Sequence, residues 1–379
     1  MTQDASTVER LMVFNGGMGT LADTDPALLR GWVGAWLRDV EEELSSVLAD
    51  LTHRMRDLHV DAAVMGEALS RAALGGKLVR ARLLGAVVDA YGGTLDKEAC
   101  RVSVALELLH TTLVVHDDVI DDDLTRRGRP NVAGEFAALH AQHSGQRVDH
   151  TAGRTDAKGI AVIAGDLALA TVFKLVHRAP LAVRDEVSEL MDEALVASAV
   201  GEYLDVVHSW PGVTPSDVDM RTAAHLKTAV YSFETPLVLG ALFAEAPTEH
   251  VAALRTAACD MGEAYQVVDD VLGAFAHDTV LGREIASDLE NHRETAVITA
   301  ARGTANWPRI EALRSGPLNV HGIAQLRREL LASGARELAM ARADALLTQA
   351  FASLDEVGVP HQLRAEMNDL MESILGRAR

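Results

Sequence analysis

Cysteine is nearly missing from this 379-residue chain, which has only Cys100 and Cys259. A disulfide framework is therefore not expected, and a reducing cytoplasm is the natural compartment. Positive charge is also scarce: 35 Lys and Arg stand against 55 Asp and Glu, a formal charge of −20. That balance argues against non-specific nucleic-acid binding, because a polyanion must be met by clustered cations. Small anionic substrates remain open, since a few placed cations or a bridging metal suffice for them. Long apolar runs are lacking as well. The best candidate, IAVIAGDLALATVF, is interrupted by Asp166 and falls short of the ~18 residues a membrane helix needs. Near the N-terminus the apolar stretch Leu11–Phe14 is too short for a signal sequence, and acids precede it. The expectation is a soluble chain with no transmembrane segment.

Proline is absent over two long windows, Pro26 to Pro130 and Pro247 to Pro308. Proline inside a helix costs about 3 kcal/mol, so such Ala- and Leu-rich windows suit helices. Helical spacing recurs in Leu106, Leu109 and Leu113, and again in Leu338, Ala341 and Ala345. Sustained two-residue alternation is lacking, and no strand can be placed. The pattern predicts about a dozen helices, including 95–121, 158–179, 219–245, 248–275 and 322–352. Segment His140–Lys158 reads as a polar surface connection. Residues 1–25 are expected to be poorly ordered, and 26–379 to form one all-α domain.

The sharpest feature is HDDVIDDD, His116–Asp123, followed by Arg126-Arg127-Gly-Arg-Pro130. On a helix Asp117 and Asp121 share one face with Asp118 beside them. Stacked carboxylates repel, so something cationic is expected among them, and a hard divalent ion such as Mg²⁺ fits oxygen ligands and leaves positions for phosphate. A second pair, Asp269-Asp270, lies in AYQVVDDVLGAF, again between apolar residues. Burying two such pairs without counter-ions would be costly. If their helices face each other, they form a cage for several Mg²⁺ ions and a diphosphate. Cations follow suit: Lys77 and Arg80 in Leu74-Gly-Gly-Lys-Leu-Val-Arg sit where glycines let backbone amides meet an anion at a helix start. Arg126 and Arg127 follow the first acids, Lys227-Thr228 interrupts an apolar segment, and His110 lies two turns before Asp117.

In that order, GGKxxR, HDDxxD with RRGxP, the GDxxLA stretch Gly165–Ala170, KT and QxxDD resemble the trans-isoprenyl diphosphate synthases, from about Gly75 to Thr295. The resemblance implies a single large helical bundle around a central cavity, the isoprenoid synthase-like fold, and a homodimer. It implies a prenyltransferase that condenses isopentenyl diphosphate with an allylic diphosphate, with several Mg²⁺ ions bound. By it, Asp117, Asp118, Asp121, Asp269 and Asp270 hold the metal. Lys77, Arg80, His110 and Arg127 take isopentenyl diphosphate. Arg126, Lys227, Thr228, Gln266, Arg283 and Arg293 take the allylic diphosphate, with Lys227 assisting ionisation. The chain departs from the family pattern at Gly273, where a third aspartate is usual, and at Arg283, where lysine is common. It departs again at Arg80-Ala81, where a second arginine and a proline are usual in that glycine-lysine motif.

Product length is expected to depend on what precedes Asp117 on its helix: Thr112 and Leu113, then Leu109 and Leu106, the last ~16 Å away at ~1.5 Å per residue. Shorter-product members of the family this chain resembles often place aromatics in that turn; here none occurs between Tyr91 and Phe136, so the resemblance implies geranylgeranyl diphosphate or longer. Plain core packing is the other reading of these leucines. Two rival functions share the helices: a class I terpene cyclase, which needs no second diphosphate site, and a non-catalytic subunit of a heteromeric synthase, which could lose its acids without penalty.

Overall fold

The computed structural model describes residues 31–378 except 127, 146, 149, 150, 211, 214, 276–288, 290–292 and 317. Residues 1–25, Arg127 and Arg283 thus lie outside the described residues. Among the described residues the fold is all-α, as proline placement and apolar spacing predict, with one two-residue ladder added. By chain contacts it divides into two compact units, Met1–Gly85 with Thr94–Ser188, and Ala86–Gly93 with Glu189–Arg379.

The first unit contains α1 (Gly31–Leu58), α2 (Ala63–Ala73), the start of α3 (Val79–Ala90), α4 (Lys97–Ile120), α5 (Val132–Ser144) and α6 (Thr151–Val176). Helix α4 starts where Asp96 accepts the Ala99 amide, the usual N-cap that satisfies an orphan donor. It packs mainly on α6. Gly165 permits that approach, since a Cβ there would lie 2.3 Å from Nε2 of His116. Ala68, Val115, Val132, Ala133, Ala161 and Ala164 form a buried cluster joined by Met65, Val119, Leu124 and Phe136. Small residues dominate it, so neighbouring helices come close and the positions along α4 are tightly determined.

Two expectations need correction in this unit. The span His140–Lys158 is not one loop: α5 runs to Ser144 and α6 begins at Thr151. Asn131 caps α5 by accepting the Gly134 amide, and Gly145 ends it at φ 69°, a left-handed conformation suited to glycine. A short ladder also exists, β1 (Thr125–Arg126) against β2 (Arg129–Pro130), turned by Gly128 at φ 73°. Helix α6 is long and apolar enough to cross a membrane by length and composition, with 44% of its most apolar window buried. Its packing on α4 and α5 accounts for the apolar content of its inner face.

The second unit holds most of α7 (Arg184–His208), then α8 (Asp217–Ala224), a π-helical segment His225–Glu234, α9 (Thr235–Phe243) and α10 (Thr248–Phe275). It continues with α11 (Ala296–Arg302), α12 (Trp307–Arg314), α13 (Val320–Ala332), α14 (Ala335–Val357) and α15 (His361–Leu375). Helix α10 lies along α14 and against the π segment. The predicted helix 322–352 is broken at Ser333-Gly334, because Gly334 adopts φ 75° and restarts the chain as α14. The predicted helix 219–245 is continuous but widens to π geometry over His225–Glu234.

Two glycines set the position of that π segment. A Cβ on Gly262 would lie 2.1 Å from the Ala229 Cβ, and one on Gly201 would lie 2.1 Å from the Lys227 backbone nitrogen. The second contact is with backbone and cannot be relieved by turning a side chain. Gly201→Ala is expected to destabilise the fold by about 2–3 kcal/mol through overpacking. The check is the thermal unfolding midpoint; a melt identical to the wild type would show that α7 can move away from the segment at no cost.

Candidate functional site

The first acidic motif closes α4. Its last turn carries Asp117 and Asp118, and Asp121 caps the helix, donating its amide to the Asp117 carbonyl at 2.8 Å. Asp118 is almost fully buried, with 4% exposure. The β1–β2 ladder brings Arg126 back over the pair. Its Nε donates to Asp118 at 3.0 Å and its Nη2 to Asp117 at 3.2 Å. Burial pushes the Asp118 carboxyl up to about 6; Arg126 pulls the other way, and Asp117 and Asp123 add to the rise. A buried carboxylate with a raised pKa and acidic neighbours attracts further positive charge. Asp122 adopts φ 60° and serves another purpose, binding Arg154 at 2.7 Å and Lys158 at 2.8 Å from α6. Burial alone would raise its pKa, but these two cations together hold it below the usual carboxylate range.

The glycine-lysine loop takes a form the sequence does not announce. Gly75 at φ 76° and Leu78 at φ 47° turn the chain into α3, and Lys77 is exposed. The opening amides of α3 already have an anion: Glu107 of α4 accepts the Arg80 amide at 2.9 Å and the Ala81 amide at 3.1 Å. The same carboxylate lies 3.6 Å from the Arg80 guanidinium, both side chains being buried. Arg80 is thus held in place by Glu107, and the helix dipole that suits an anion is met from within the chain. His110 is half-buried one turn further along α4. Glu107 escaped the sequence reading; its only signal is a single acid among the apolar residues Val102–Leu109.

In the second unit, Lys227 on the π segment lies between two carboxylates of α7, Asp205 at 2.7 Å and Glu202 at 2.9 Å. These acids, three residues apart, were also not singled out from sequence. Next to Lys227, the Thr228 hydroxyl donates to Gln266 Oε1 at 3.0 Å. Gln266 Nε2 donates to Asp270 Oδ1 at 2.9 Å, and Asp270 Oδ2 accepts the Ala296 amide at 2.7 Å. Asp269 is half-buried, and among the described residues its side chain has no hydrogen-bond or ion-pair partner. Gly273 is buried in α10. Arg293 precedes α11, its carbonyl accepting Arg314 Nη2 at 3.2 Å. Lys227, Thr228, Gln266, Asp270 and the start of α11 therefore belong to one neighbourhood, as do Lys77, Arg80 and Glu107 in the first unit.

Among the described residues, no three carboxylate, imidazole or thiol groups are already gathered around a metal position. The donor chemistry nevertheless fits a hard divalent ion, because every candidate is a carboxylate oxygen. The Arg126 guanidinium, drawn between Asp117 and Asp118, stands where positive charge is wanted.

The sequence model of the polyprenyl synthetase family matches residues 63–315. A geranylgeranyl diphosphate synthase of Mycobacterium tuberculosis is 31% identical over 239 residues, 60% of this chain and 58% of that protein. A farnesyl diphosphate synthase of Bacillus subtilis is 28% identical over 273 residues, 67% of this chain and 83% of that protein. The match thus spans less than two thirds of the first relative's length and more of the second's. Among solved structures, geranylgeranyl pyrophosphate synthase from Corynebacterium glutamicum, complexed with isoprenyl diphosphate and magnesium, superposes with TM-score 0.80 at 23% identity. That superposition covers 89% of this chain and 97% of that one. A polyprenyl synthase from Caulobacter crescentus, complexed with calcium and isoprenyl diphosphate, gives TM-score 0.70 at 23% identity over 92% and 98% of the two chains. At these identities the structures establish the shared fold.

Proposed function

The chain belongs to the polyprenyl synthetase family, and from that premise we propose that it is a prenyltransferase joining isopentenyl diphosphate to an allylic diphosphate with release of inorganic diphosphate. The observation that carries the proposal is the end of α4, where a buried and a half-buried carboxylate close around a guanidinium. Such a carboxylate pair is suited to positive charge, which an ionising diphosphate requires. Asp117, Asp118 and Asp121 in the first unit, and separately Asp269 in the second, would hold magnesium, whose charge would neutralise that developing on the leaving oxygens. Arg126, Lys227, Thr228, Gln266 and Arg293, with Arg283, are assigned to the allylic diphosphate. Lys227 would exchange its α7 carboxylates for the leaving group, a charge-assisted contact that strengthens as the carbon–oxygen bond breaks. Lys77, Arg80 and His110, with Arg127, are assigned to isopentenyl diphosphate, and Glu107 keeps the Arg80 guanidinium fixed for it. Their role is to orient the double bond towards the allylic carbon while water is kept out. Loss of the final proton needs no dedicated side chain, since the departing diphosphate accepts it.

The second diphosphate group of residues weighs against a terpene cyclase, and retention of both acidic motifs weighs against a non-catalytic subunit. The preferred product is geranylgeranyl diphosphate or longer. The test is incubation of purified protein with isopentenyl diphosphate, Mg²⁺ and each allylic primer, with product mass as the readout. Cyclic hydrocarbon, or no elongation with any primer, would refute the assignment.

A cytoplasmic homodimer completes the proposal. Both cysteines are free thiols. The outer side of α6 exposes Val162, Ile163 and Phe173, at 40%, 53% and 37%, which is more apolar surface than a solvated helix needs. An aspartate at Ile163 would place charge in that face. Ile163→Asp is expected to turn a dimer into a monomer in analytical ultracentrifugation; a monomeric wild-type protein would remove the dimer from the proposal.

A further inference from the structure

The motif groups Asp270 with the metal ligands, yet its carboxylate is already committed on both oxygens. One accepts the first amide of α11, Ala296, and the other accepts Gln266, whose own oxygen accepts the Thr228 hydroxyl. Thr295, just before α11, caps the same helix through the Ile298 amide. The Ala296 contact also places negative charge at a helix N-terminus, which the helix dipole favours. An ion bound through Asp270 would draw on oxygens that already hold the half-buried Ala296 amide and the Gln266 NH₂, and an amide that loses its acceptor is costly. Asp269, its neighbour, has no such commitment among the described residues.

We propose that Asp270 is a positioning residue and not a metal ligand. Through Gln266 it fixes Thr228, beside Lys227, and through Ala296 it fixes the start of α11, three residues after Arg293. One carboxylate thereby sets the spacing of the groups assigned above to the allylic diphosphate. The inference rests on that assignment for its consequence in turnover, but not for the hydrogen-bonded array itself.

Conservative substitution separates the two roles. In Asp270→Asn the array can re-form with its amides turned. The new carboxamide oxygen accepts the Ala296 N–H, its NH₂ donates to the turned Gln266 oxygen, and the Gln266 NH₂ donates to Thr228 Oγ1. A metal ligand would not be rescued in this way, because the anionic oxygen is gone. In metal-free protein, Asp270→Ala should speed amide exchange at Ala296 about tenfold or more, whereas Asp269→Ala should leave it unchanged. In turnover, Asp270→Asn should recover most of what Asp270→Ala loses, with the Mg²⁺ concentration for half activity within about threefold of wild type. Asp269→Asn should raise that concentration about tenfold or more. The inference is overturned if Asp270→Asn shifts the Mg²⁺ requirement as far as Asp269→Asn does, or if Asp270→Ala leaves Ala296 exchange unaltered. An unchanged Mg²⁺ requirement in Asp269→Asn, or a wild-type protein that elongates nothing, counts instead against the proposed function. The exchange measurement still decides in that case whether Asp270 holds the start of α11.

Discussion

Replacing Asp269 by alanine is expected to lower turnover by about a thousandfold or more while leaving the thermal midpoint nearly unchanged. The two halves of this expectation have different causes. Asp269 is half-buried on α10 and has no side-chain partner among the described residues, so its loss breaks no contact that folding relies on. If its carboxylate holds Mg²⁺ against the leaving diphosphate, its loss removes stabilisation where charge develops. Asp117→Ala should cost as much in rate but behave differently in folding. It also strips Arg126 of one partner and leaves the buried Asp118 with a less constrained guanidinium. Steady-state kinetics at saturating Mg²⁺, paired with melts of both variants, check the contrast. Full activity in either variant would remove that acidic motif from the mechanism.

The acids were legible in the sequence for a physical reason. Asp117 and Asp118 follow the apolar run Leu113–Val115, and Asp269 and Asp270 follow Val267–Val268, so each pair was expected where charge is expensive; Asp118 is buried and the other three are half-buried. Helical spacing likewise located α4 and α10 to within a few residues. Arg126, which meets Asp117 and Asp118, stood out by its place after them; the counter-charges of Lys227 and Arg80 were not legible. Lys227 is met by Asp205 and Glu202 from a different helix, and no local pattern announces a pairing made by tertiary packing. Glu107 is similar: from sequence it is one acid in an apolar helix, and its use as the cap of α3 appears only when the start of α3 meets it in the folded chain. The π segment is invisible for another reason. Its residues keep an apolar spacing close to that of an ordinary helix, and the widening arises where Gly201 and Gly262 bring α7 and α10 against it. Such departures from α geometry concentrate at functional positions, and this one carries Lys227 and Thr228.

Helix boundaries failed where capping outweighed periodicity. Leu330 and Ala335 sit on a buried face on both sides of Gly334, so the apolar pattern runs through the break and the glycine signal is outvoted. In α5 the reverse holds: a polar tail, His140 to Ser144, hides a helix whose buried residues Val132, Ala133 and Ala137 precede it.

Leu113→Phe is expected to shift the main product from twenty carbons or more to fifteen. Of the four positions along α4, the structure separates Leu113 from the rest. Leu106 and Leu109 are fully buried, at 0% and 1% exposure. Thr112 is buried at 1% exposure and directs its hydroxyl to the Gly165 carbonyl at 3.5 Å, in the close contact with α6. Those three have no room to meet a substrate tail without unpacking the first unit. Leu113 is only half-buried, one turn before Asp117, so an added ring can block a growing chain without overfilling the core. The paired control is Leu106→Ala, which should cost about 2–5 kcal/mol of stability through the cavity it leaves and change product length little. Product mass with geranyl and farnesyl primers, read beside a melt of each variant, distinguishes a channel wall from core packing. An unchanged product from Leu113→Phe, or longer chains from Leu106→Ala, would reverse the assignment and place the limiting contact deeper along α4.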